Sequence, residues 1–182
     1  MGRLELYIPK VEDYWYEEKI QSDPKTMSYN AGWDVSYYGY HYDTGCIDFP
    51  KERWEEVYNK RMNEKRFFAY LKDIELNEFV GYVNYHFNNS VNRYDCGILI
   101  EDKYRGNGYS KEGLKLLCDY AKSQGIDYLY DDFEDNRPGT SIFYDLGFKE
   151  IDRYQSKRFD KYLDIVVVGI DLNEEDNNIS TN

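Results

Sequence analysis

The stretch YRGNGYSKEG, at residues 104–113, carries residue types that suit the binding of an anion. Gly106 and Gly108 let the backbone approach a phosphate with no β-carbon in the way. The segment that follows has helical spacing, so the unpaired first N–H groups of a helix and the positive end of its dipole would face the same ligand. Arg105 and Lys111 add positive charge in a chain whose net charge is −12. The stretch therefore predicts a site for a phosphate-bearing ligand.

Three phosphate-binding patterns can be compared with this stretch. The Walker pattern G-x-x-x-x-G-K-[ST] is excluded, because no such spacing follows Gly106 or Gly108. The dinucleotide pattern G-x-G-x-x-G has Lys111 in place of its third glycine, and it requires a parallel β-α-β unit near the start of the chain. The pattern R-x-x-G-x-[G/A/S] is met in full by Arg105, Gly108 and Ser110. The third pattern is the best match.

The composition narrows the class of protein. A length of 182 residues suits one domain with a substantial core. The net charge of −12 argues against a nucleic-acid surface, and no apolar run approaches the roughly 18 to 20 residues of a membrane span. The first ten residues lack the apolar stretch of a secretory signal, so a soluble, cytoplasmic protein is expected. Three widely spaced cysteines and two scattered histidines predict neither a disulfide framework nor a metal site.

The elements that must position the glycine-rich stretch are about seven strands and about four helices. The runs RFFAYLKDI and FVGYVNYHF, joined by polar ELNE, predict a hairpin, and RYDCGILIED predicts a strand that ends at the stretch. Beyond the stretch, small and apolar residues recur at three- and four-residue steps, which predicts a helix that can approach a sheet closely at its N-terminus. Residues 25–49 are predicted to be a tyrosine-rich loop. This order predicts a mixed sheet with helices on both faces over residues 1–172, and an acidic, flexible tail over 173–182.

The R-x-x-G-x-S pattern resembles motif A of the GNAT superfamily, the acetyl-CoA-dependent N-acetyltransferases. Three further segments match in order and spacing. GILI with its EDKY extension resembles the family's fourth strand, LKLLCDYAKSQGIDYLY its third helix and fifth strand, and NRPGTSIFYDLGFKEI its motif B. The resemblance covers residues 70–151. It implies an α+β fold with a mixed, mostly antiparallel central sheet and helices packed on both faces.

The resemblance also implies acetyl-CoA as the cofactor. In that family the fourth and fifth strands separate, and the pantetheine arm enters the gap between them. Gly97 is then expected at a bulge that opens the gap, with backbone N–H groups from residues 106–111 on the pyrophosphate. The residues implied to bind the cofactor are Ile98, Leu99, Ile100, Arg105, Gly106, Asn107, Gly108, Tyr109, Ser110, Lys111 and Asn136.

The implied reaction is direct transfer of an acetyl group to a primary amine. An amine attacks only when it is neutral, and because its reference pKa is about 10.4, a base must remove a proton. Asp95 and Asp131 occupy the fourth- and fifth-strand positions from which the family draws such bases, and either could act through a water. The backbone N–H of Ile100 is expected to stabilise the oxyanion.

One position departs from the family pattern. Many members carry a motif B tyrosine that protonates the leaving thiolate, and this chain has Phe143 there. Tyr144 cannot simply substitute, because one residue along a helix turns a side chain by about 100°. Because a thiol with a pKa of about 8.5 is a tolerable leaving group, water or another tyrosine could complete the step.

The acceptor is the least determined part of the prediction. Trp33, Tyr38 and Tyr40 are expected to border its pocket, although an AT-rich genome would enrich tyrosine equally well. The acidic charge and the aromatic loop favour a small cationic amine. Two alternatives remain open at this point: acetylation of a protein N-terminus or lysine, and a non-catalytic acyl-CoA-binding sensor. The resemblance further implies a possible homodimer that pairs across a sheet edge.

Overall fold

The structure, a computed structural model, describes residues 2–174. It contains one seven-stranded sheet with the strand order β1-β2-β3-β4-β5-β7-β6. All neighbouring strands pair antiparallel except β4 and β5. This mixed, mostly antiparallel sheet confirms the predicted fold class. The strands are β1 (Leu4–Tyr7), β2 (Arg66–Asp73), β3 (Glu78–Asn88), β4 (Arg93–Ile100), β5 (Tyr128–Glu134), β6 (Lys149–Arg158) and β7 (Lys161–Asp171).

Five α-helices accompany the sheet within the same residues: α1 (Trp15–Gln21), α2 (Pro24–Met27), α3 (Trp54–Arg61), α4 (Tyr109–Ser123) and α5 (Ser141–Asp145). The helix beyond the four expected is α2, so the prediction of a loop from residue 25 was wrong at its start. The reason is local, because Pro24 occupies the first turn and the Asp23 carboxylate accepts the N–H groups of Lys25 and Thr26. None of these helices is long and apolar enough to cross a membrane.

The helices lie on both faces of the sheet and bury separate cores. Leu114 and Leu117 of α4 pack on one face, whereas Tyr16 and Ile20 of α1 pack on the other. The first turns of α4 come very close to the sheet at Gly113. A β-carbon placed there would lie 2.5 Å from Leu71 Cδ1, so only glycine fits without a shift. The same β-carbon would lie 3.3 Å from Ile98 Cδ1, so the N-terminal part of α4 lies beside the end of β4.

A gap opens between β4 and β5 because these strands share a single parallel pair, Asp95 with Tyr130. On either side of the gap, β4 stays paired with β3 and β5 stays paired with β7. The prediction of a bulge at Gly97 was wrong, because the register of β4 against β3 is continuous from Arg93 to Ile100. The gap therefore forms where β5 turns away from β4, and the backbone of β4 stays regular.

The predicted tail over 173–182 falls almost entirely outside the described residues. Its first two residues are described and make polar contacts with the domain. The Asn173 side chain donates to Asp127 Oδ1 at 2.6 Å, and Lys149 lies 3.1 Å from the Glu174 carboxylate.

Candidate functional site: a cleft between two strands

A cleft of about 620 Å³ occupies the gap between β4 and β5, at the N-terminal end of α4. A volume of this size suits a small-molecule or cofactor ligand. Its walls come from four parts of the chain that are distant in sequence, and they include the predicted residues at the end of β4 and several in the glycine-rich stretch. The lining residues are Ser28, Tyr29, Ile98, Leu99, Ile100, Arg105, Gly106, Ser110, Arg137, Pro138, Gly139, Ile142, Phe143 and Arg158.

The end of β4 offers main-chain groups to this cleft. The N–H of Glu101 donates to the Val80 carbonyl of β3 at 3.0 Å. Because antiparallel hydrogen bonding alternates along a strand, the main-chain groups of Ile98 and Ile100 point away from β3 and into the gap. The main chain of Leu99 faces β3, so this residue contributes only its side chain to the cleft. An extended ligand can therefore pair with β4 as an added strand would.

The N-terminus of α4 forms the polar end of the cleft. Gly106 and Gly108 have φ values of 78° and 81°, a left-handed conformation that favours glycine. A β-carbon on Gly106 would meet no atom within 4 Å, and no side chain caps the helix. The N–H groups of the first turn lack partners within the helix, as at any helix start. This end of the cleft can therefore accept an anion.

Two other residues of the glycine-rich stretch turn their side chains away from the cleft. The Tyr109 hydroxyl donates to Asp73 at 2.7 Å, and the Arg3 guanidinium lies 4.5 Å from the Tyr109 ring centroid. The Asn107 side chain donates to the Tyr104 carbonyl at 3.0 Å. Only the main chains of Tyr109 and Asn107 are left to meet a ligand.

Arg105 connects the cleft to the N-terminal helices. Its guanidinium and Nε donate to the carbonyls of Thr26, Lys25 and Ile100 at 2.7, 3.3 and 3.2 Å. The first two carbonyls belong to α2, where the last carbonyls of a helix lack internal partners and attract a cation. Arg105 thus lines the cleft with its guanidinium already engaged, whereas Lys111 is exposed, 3.7 Å from the Asp145 carboxylate.

The turn after β5 borders the cleft through other residues than the predicted one. Asn136 adopts a φ of 61° and does not line the cleft. Arg137, Pro138 and Gly139 do. Within residues 2–174, no cluster of His, Cys, Asp and Glu could hold a metal ion.

A second cleft of about 200 Å³ adjoins the first and shares Tyr29 and Arg137 with it. Its walls combine carboxylates with aromatic rings, and Trp33 is the only one of the three predicted acceptor-wall residues that lies there. The lining residues are Tyr29, Asn30, Trp33, Asp132, Phe133, Glu134, Arg137, Tyr154, Ser156 and Ile165. Asp132, Glu134 and Arg137 give this cleft charges of both signs, with carboxylates in the majority.

Tyr38 and Tyr40 take part in the folding of the tyrosine-rich loop and line neither cleft. The Tyr40 hydroxyl donates to the Asn30 carbonyl at 2.7 Å and accepts from the N–H of Trp33 at 3.1 Å. The Tyr38 ring lies 4.1 Å from the Arg53 guanidinium. Both tyrosines therefore lie outside the lining of the two clefts, since Tyr40 packs within the loop and Tyr38 packs on Arg53.

The two candidate bases have different surroundings. The Asp95 carboxylate is held by Arg93 Nε at 2.6 Å and by Asn88 Nδ2 at 2.8 Å. Asp131 lies one residue beyond the pair that joins β5 to β4, and burial raises the pKa of its carboxyl to about 8, although the N–H of Asp132 partly opposes the shift. Asp131 lines neither cleft.

Tyr29 and Arg137 were not predicted from the sequence. They form the junction of the two clefts, where the Arg137 guanidinium lies 5.4 Å from the centroid of the Tyr29 ring. Burial raises the pKa of Tyr29 to about 12. In the sequence, the only feature that could point to Tyr29 is its position in a tyrosine-rich segment. Many other tyrosines share that feature. The sequence alone therefore could not single it out.

The sequence and the fold of this chain are similar to those of known acetyltransferases. The model of the acetyltransferase (GNAT) family matches residues 14–148, whereas a search of curated protein sequences finds no significant match. A spermidine N-acetyltransferase of Vibrio cholerae, in complex with CoA and spermine, superposes with a TM-score of 0.73 at 18% identity, over 93% of this chain and 96% of its own. The Salmonella typhimurium protein yncA, with its cofactor acetyl-CoA, gives 0.71 at 13% identity over 96% and 97%. A GNAT acetyltransferase of Bacillus anthracis gives 0.70 at 19% identity over 95% and 97%.

Proposed function

Since the chain belongs to the acetyltransferase (GNAT) family, we propose that it transfers an acetyl group from acetyl-CoA to a primary amine of a small cationic molecule. One observation carries the proposal. The cleft between β4 and β5 joins an uncapped helix start at one end to an acidic and aromatic cleft at the other. An anionic cofactor and a cationic acceptor would thus approach the junction from opposite directions.

The residues of the first cleft fit acetyl-CoA. The inward-facing main-chain groups of Ile98 would hydrogen-bond the pantetheine, and the N–H groups of residues 106–111 would hold the pyrophosphate. Glycine at 106 leaves the backbone bare where the phosphates would lie. When bound, acetyl-CoA supplies an activated acetyl thioester.

Groups of the chain itself would then accept the proton of the amine and stabilise the negative charge that develops on the carbonyl oxygen. Asp131, with a pKa raised to about 8, would take the proton of the amine through a water, and a base is most effective when its pKa lies near the working pH. The inward-facing N–H of Ile100 would donate to the oxyanion. Asp95 serves poorly as the base, because Arg93 and Asn88 occupy its oxygens.

Charge favours a cationic acceptor. The chain carries −12, and the second cleft presents Asp132 and Glu134, which would raise the local concentration of a cation. Glu134 forms an ion pair with Arg158 at 2.8 Å. Among the described residues, the Asp132 side chain accepts a hydrogen bond only from the Tyr154 hydroxyl, so Asp132 is the more available carboxylate. The Vibrio cholerae enzyme, crystallised with spermine, offers a chemical precedent.

A non-catalytic acyl-CoA sensor is the second candidate. The observation that favours it is Phe143, which lines the cleft where the family's thiolate acid is expected and has no hydroxyl. A sensor would bind acetyl-CoA and release no thiol from it with any amine.

Thiol release from acetyl-CoA tests the proposal directly. The acceptors to compare are a diamine, a polyamine, a neutral monoamine and peptides with a free N-terminus or a lysine. We expect release with the diamine and polyamine, and a KM for them that rises with salt, because screening weakens charge steering. Release with peptides alone would indicate a protein acetyltransferase. Binding of acetyl-CoA without release in any mixture would favour the sensor.

A further inference from the structure

The α5 wall of the cleft offers no hydroxyl to the reacting sulfur. Phe143 is buried and packs between Phe133 and Phe148, with ring centroids 5.2 and 5.1 Å away. Tyr144 is 45% exposed and does not line the cleft. If the chain supplies a donor to the leaving group, the donor comes from another wall.

Tyr29 is such a donor, on the wall that the turn after α2 contributes. It lies in the 3₁₀ turn Ser28–Asn30 that follows α2, and it lines both clefts. Its main chain is fixed by Trp33, whose Nε1 donates to the Tyr29 carbonyl at 3.2 Å. Within residues 2–174 the Tyr29 hydroxyl has no hydrogen-bond partner, so it is free for a ligand.

We propose that the Tyr29 hydroxyl donates a hydrogen bond to the sulfur of CoA as the thiolate leaves, and so takes the place of the missing motif B tyrosine. This inference rests on the proposed function. The Arg137 guanidinium, 5.4 Å from the ring centroid, adds positive charge on the same side and favours the thiolate. Tyr29 and Phe143 line the same cleft, so a hydroxyl from either wall could serve the sulfur.

The step balances without any further reactant. The bond between the amine nitrogen and the carbonyl carbon forms, the carbon–sulfur bond breaks, and its electron pair goes to sulfur. The proton of the amine passes through a water to Asp131. Tyr29 keeps its own proton, since burial holds its pKa well above that of a thiol, and the thiolate is protonated by solvent on release.

Three variants test the assignment by turnover. Tyr29→Phe removes one hydroxyl and should lower kcat by about 10- to 100-fold, the value of a hydrogen bond to a charged group, while the Kd for acetyl-CoA stays unchanged. Tyr144→Phe removes the neighbouring hydroxyl of α5 and should change neither. Adding Phe143→Tyr to Tyr29→Phe should restore much of the rate, because it returns a hydroxyl to the same cleft from α5. A kcat of Tyr29→Phe equal to that of the wild type would overturn the inference.

A second readout needs no acceptor. If Tyr29 donates to sulfur, it stabilises the thiolate of bound CoA, so Tyr29→Phe should lower the acidity constant of the bound thiol by about tenfold or more. Thiolate absorbance during a pH titration of the complex measures this constant. An unchanged constant would refute the role of Tyr29 even if amines are acetylated. A changed constant, with no amine acetylated by the wild type, would refute the proposed function and leave the Tyr29–sulfur contact standing.

Discussion

The two ends of the cleft are built in different ways. The end proposed to hold the phosphates, called the phosphate end, comes from one continuous stretch, residues 105–111, in which the glycines and the start of α4 follow each other directly. The proposed acetyl end combines Tyr29, Ile100 and Phe143, which line the cleft, with Asp131, which lies outside its lining. These four residues belong to four separate elements or turns. In the proposed function, a local motif would thus hold the cofactor, whereas residues brought together by tertiary packing would carry out the chemistry.

The difference implies that the two ends should respond to substitution separately. Changes at the phosphate end should alter affinity for the cofactor and leave kcat nearly intact. Changes at the acetyl end should alter kcat and leave affinity nearly intact. The following predictions test that separation and the surroundings of the residues behind it, from the largest expected effect to the smallest.

The largest effect is expected at Asp131. Asp131→Asn removes the proposed base and should lower kcat by about 100- to 10,000-fold with the Kd for acetyl-CoA unchanged. In the wild type, kcat should rise with pH up to about 8, where the carboxyl becomes ionised, and then level off. Asp95→Asn should lose far less activity. Equal losses in the two variants, measured by thiol release across pH, would contradict the assignment.

Ionisation of Asp131 should lower the stability of the protein, although it is expected to raise kcat. The pKa of Asp131 is raised from 3.8 to about 8, so between these values the folded protein holds a proton that the unfolded chain has lost. Stability should therefore decline as pH rises through this window. Asp131→Asn abolishes that decline, so its Tm should exceed that of the wild type at pH 8 and match it near pH 4. A wild-type advantage in Tm at pH 8 would contradict the raised pKa.

A matched pair of glycines tests the phosphate end. Gly106 and Gly125 both have a φ of 78°, and at neither would a β-carbon meet an atom within 4 Å, but only Gly106 lines the cleft. Alanine at either position should lower the free energy of unfolding by about 1 kcal/mol through backbone strain. Gly106→Ala alone should also weaken acetyl-CoA binding, by about tenfold, with kcat retained. Equal affinities in calorimetric titrations of the two variants would argue against a phosphate cradle at this turn.

The smallest effects are expected at Arg105 and Lys111, two cations of the glycine-rich stretch for which the sequence predicts the same role. Arg105 bonds carbonyls of α2 and β4, so Arg105→Ala should lower the free energy of unfolding by about 1 kcal/mol even without cofactor. Lys111 is exposed, and Lys111→Ala should leave stability unchanged and weaken acetyl-CoA binding only a few-fold. Denaturant titrations with and without acetyl-CoA distinguish these outcomes. A stable Arg105→Ala variant would remove the proposed connecting role of this side chain.

The same division explains what could be predicted from the sequence. The strands, the long helix α4 and the proposed phosphate end could be predicted from local patterns. Hydrophobic spacing indicates the strands and the helix, and the glycines at 106 and 108 indicate the turn, each within a few residues of sequence. The helix α2 was missed although Asp23 and Pro24 signal its start, because the surrounding tyrosines suggested a loop.

The acetyl end could not be predicted in the same way. Whether Asp95 or Asp131 is free depends on Arg93 and Asn88, and no local pattern in the sequence shows that these side chains occupy the Asp95 oxygens. Tyr29 reaches the cleft only because the turn after α2 is held against Arg105 and Trp33. Such contacts join residues far apart in sequence and become visible only in the folded chain.

Thermal unfolding with and without acetyl-CoA tests the central claim most directly, because the cleft between β4 and β5 must bind this cofactor for any of the proposed chemistry to occur. At about 100 times its Kd, a ligand stabilises a protein by roughly 2.7 kcal/mol, so Tm should rise by about 5 to 10 °C in a domain of this size. NAD and ATP should produce no comparable rise. An unchanged Tm at millimolar acetyl-CoA would contradict the account.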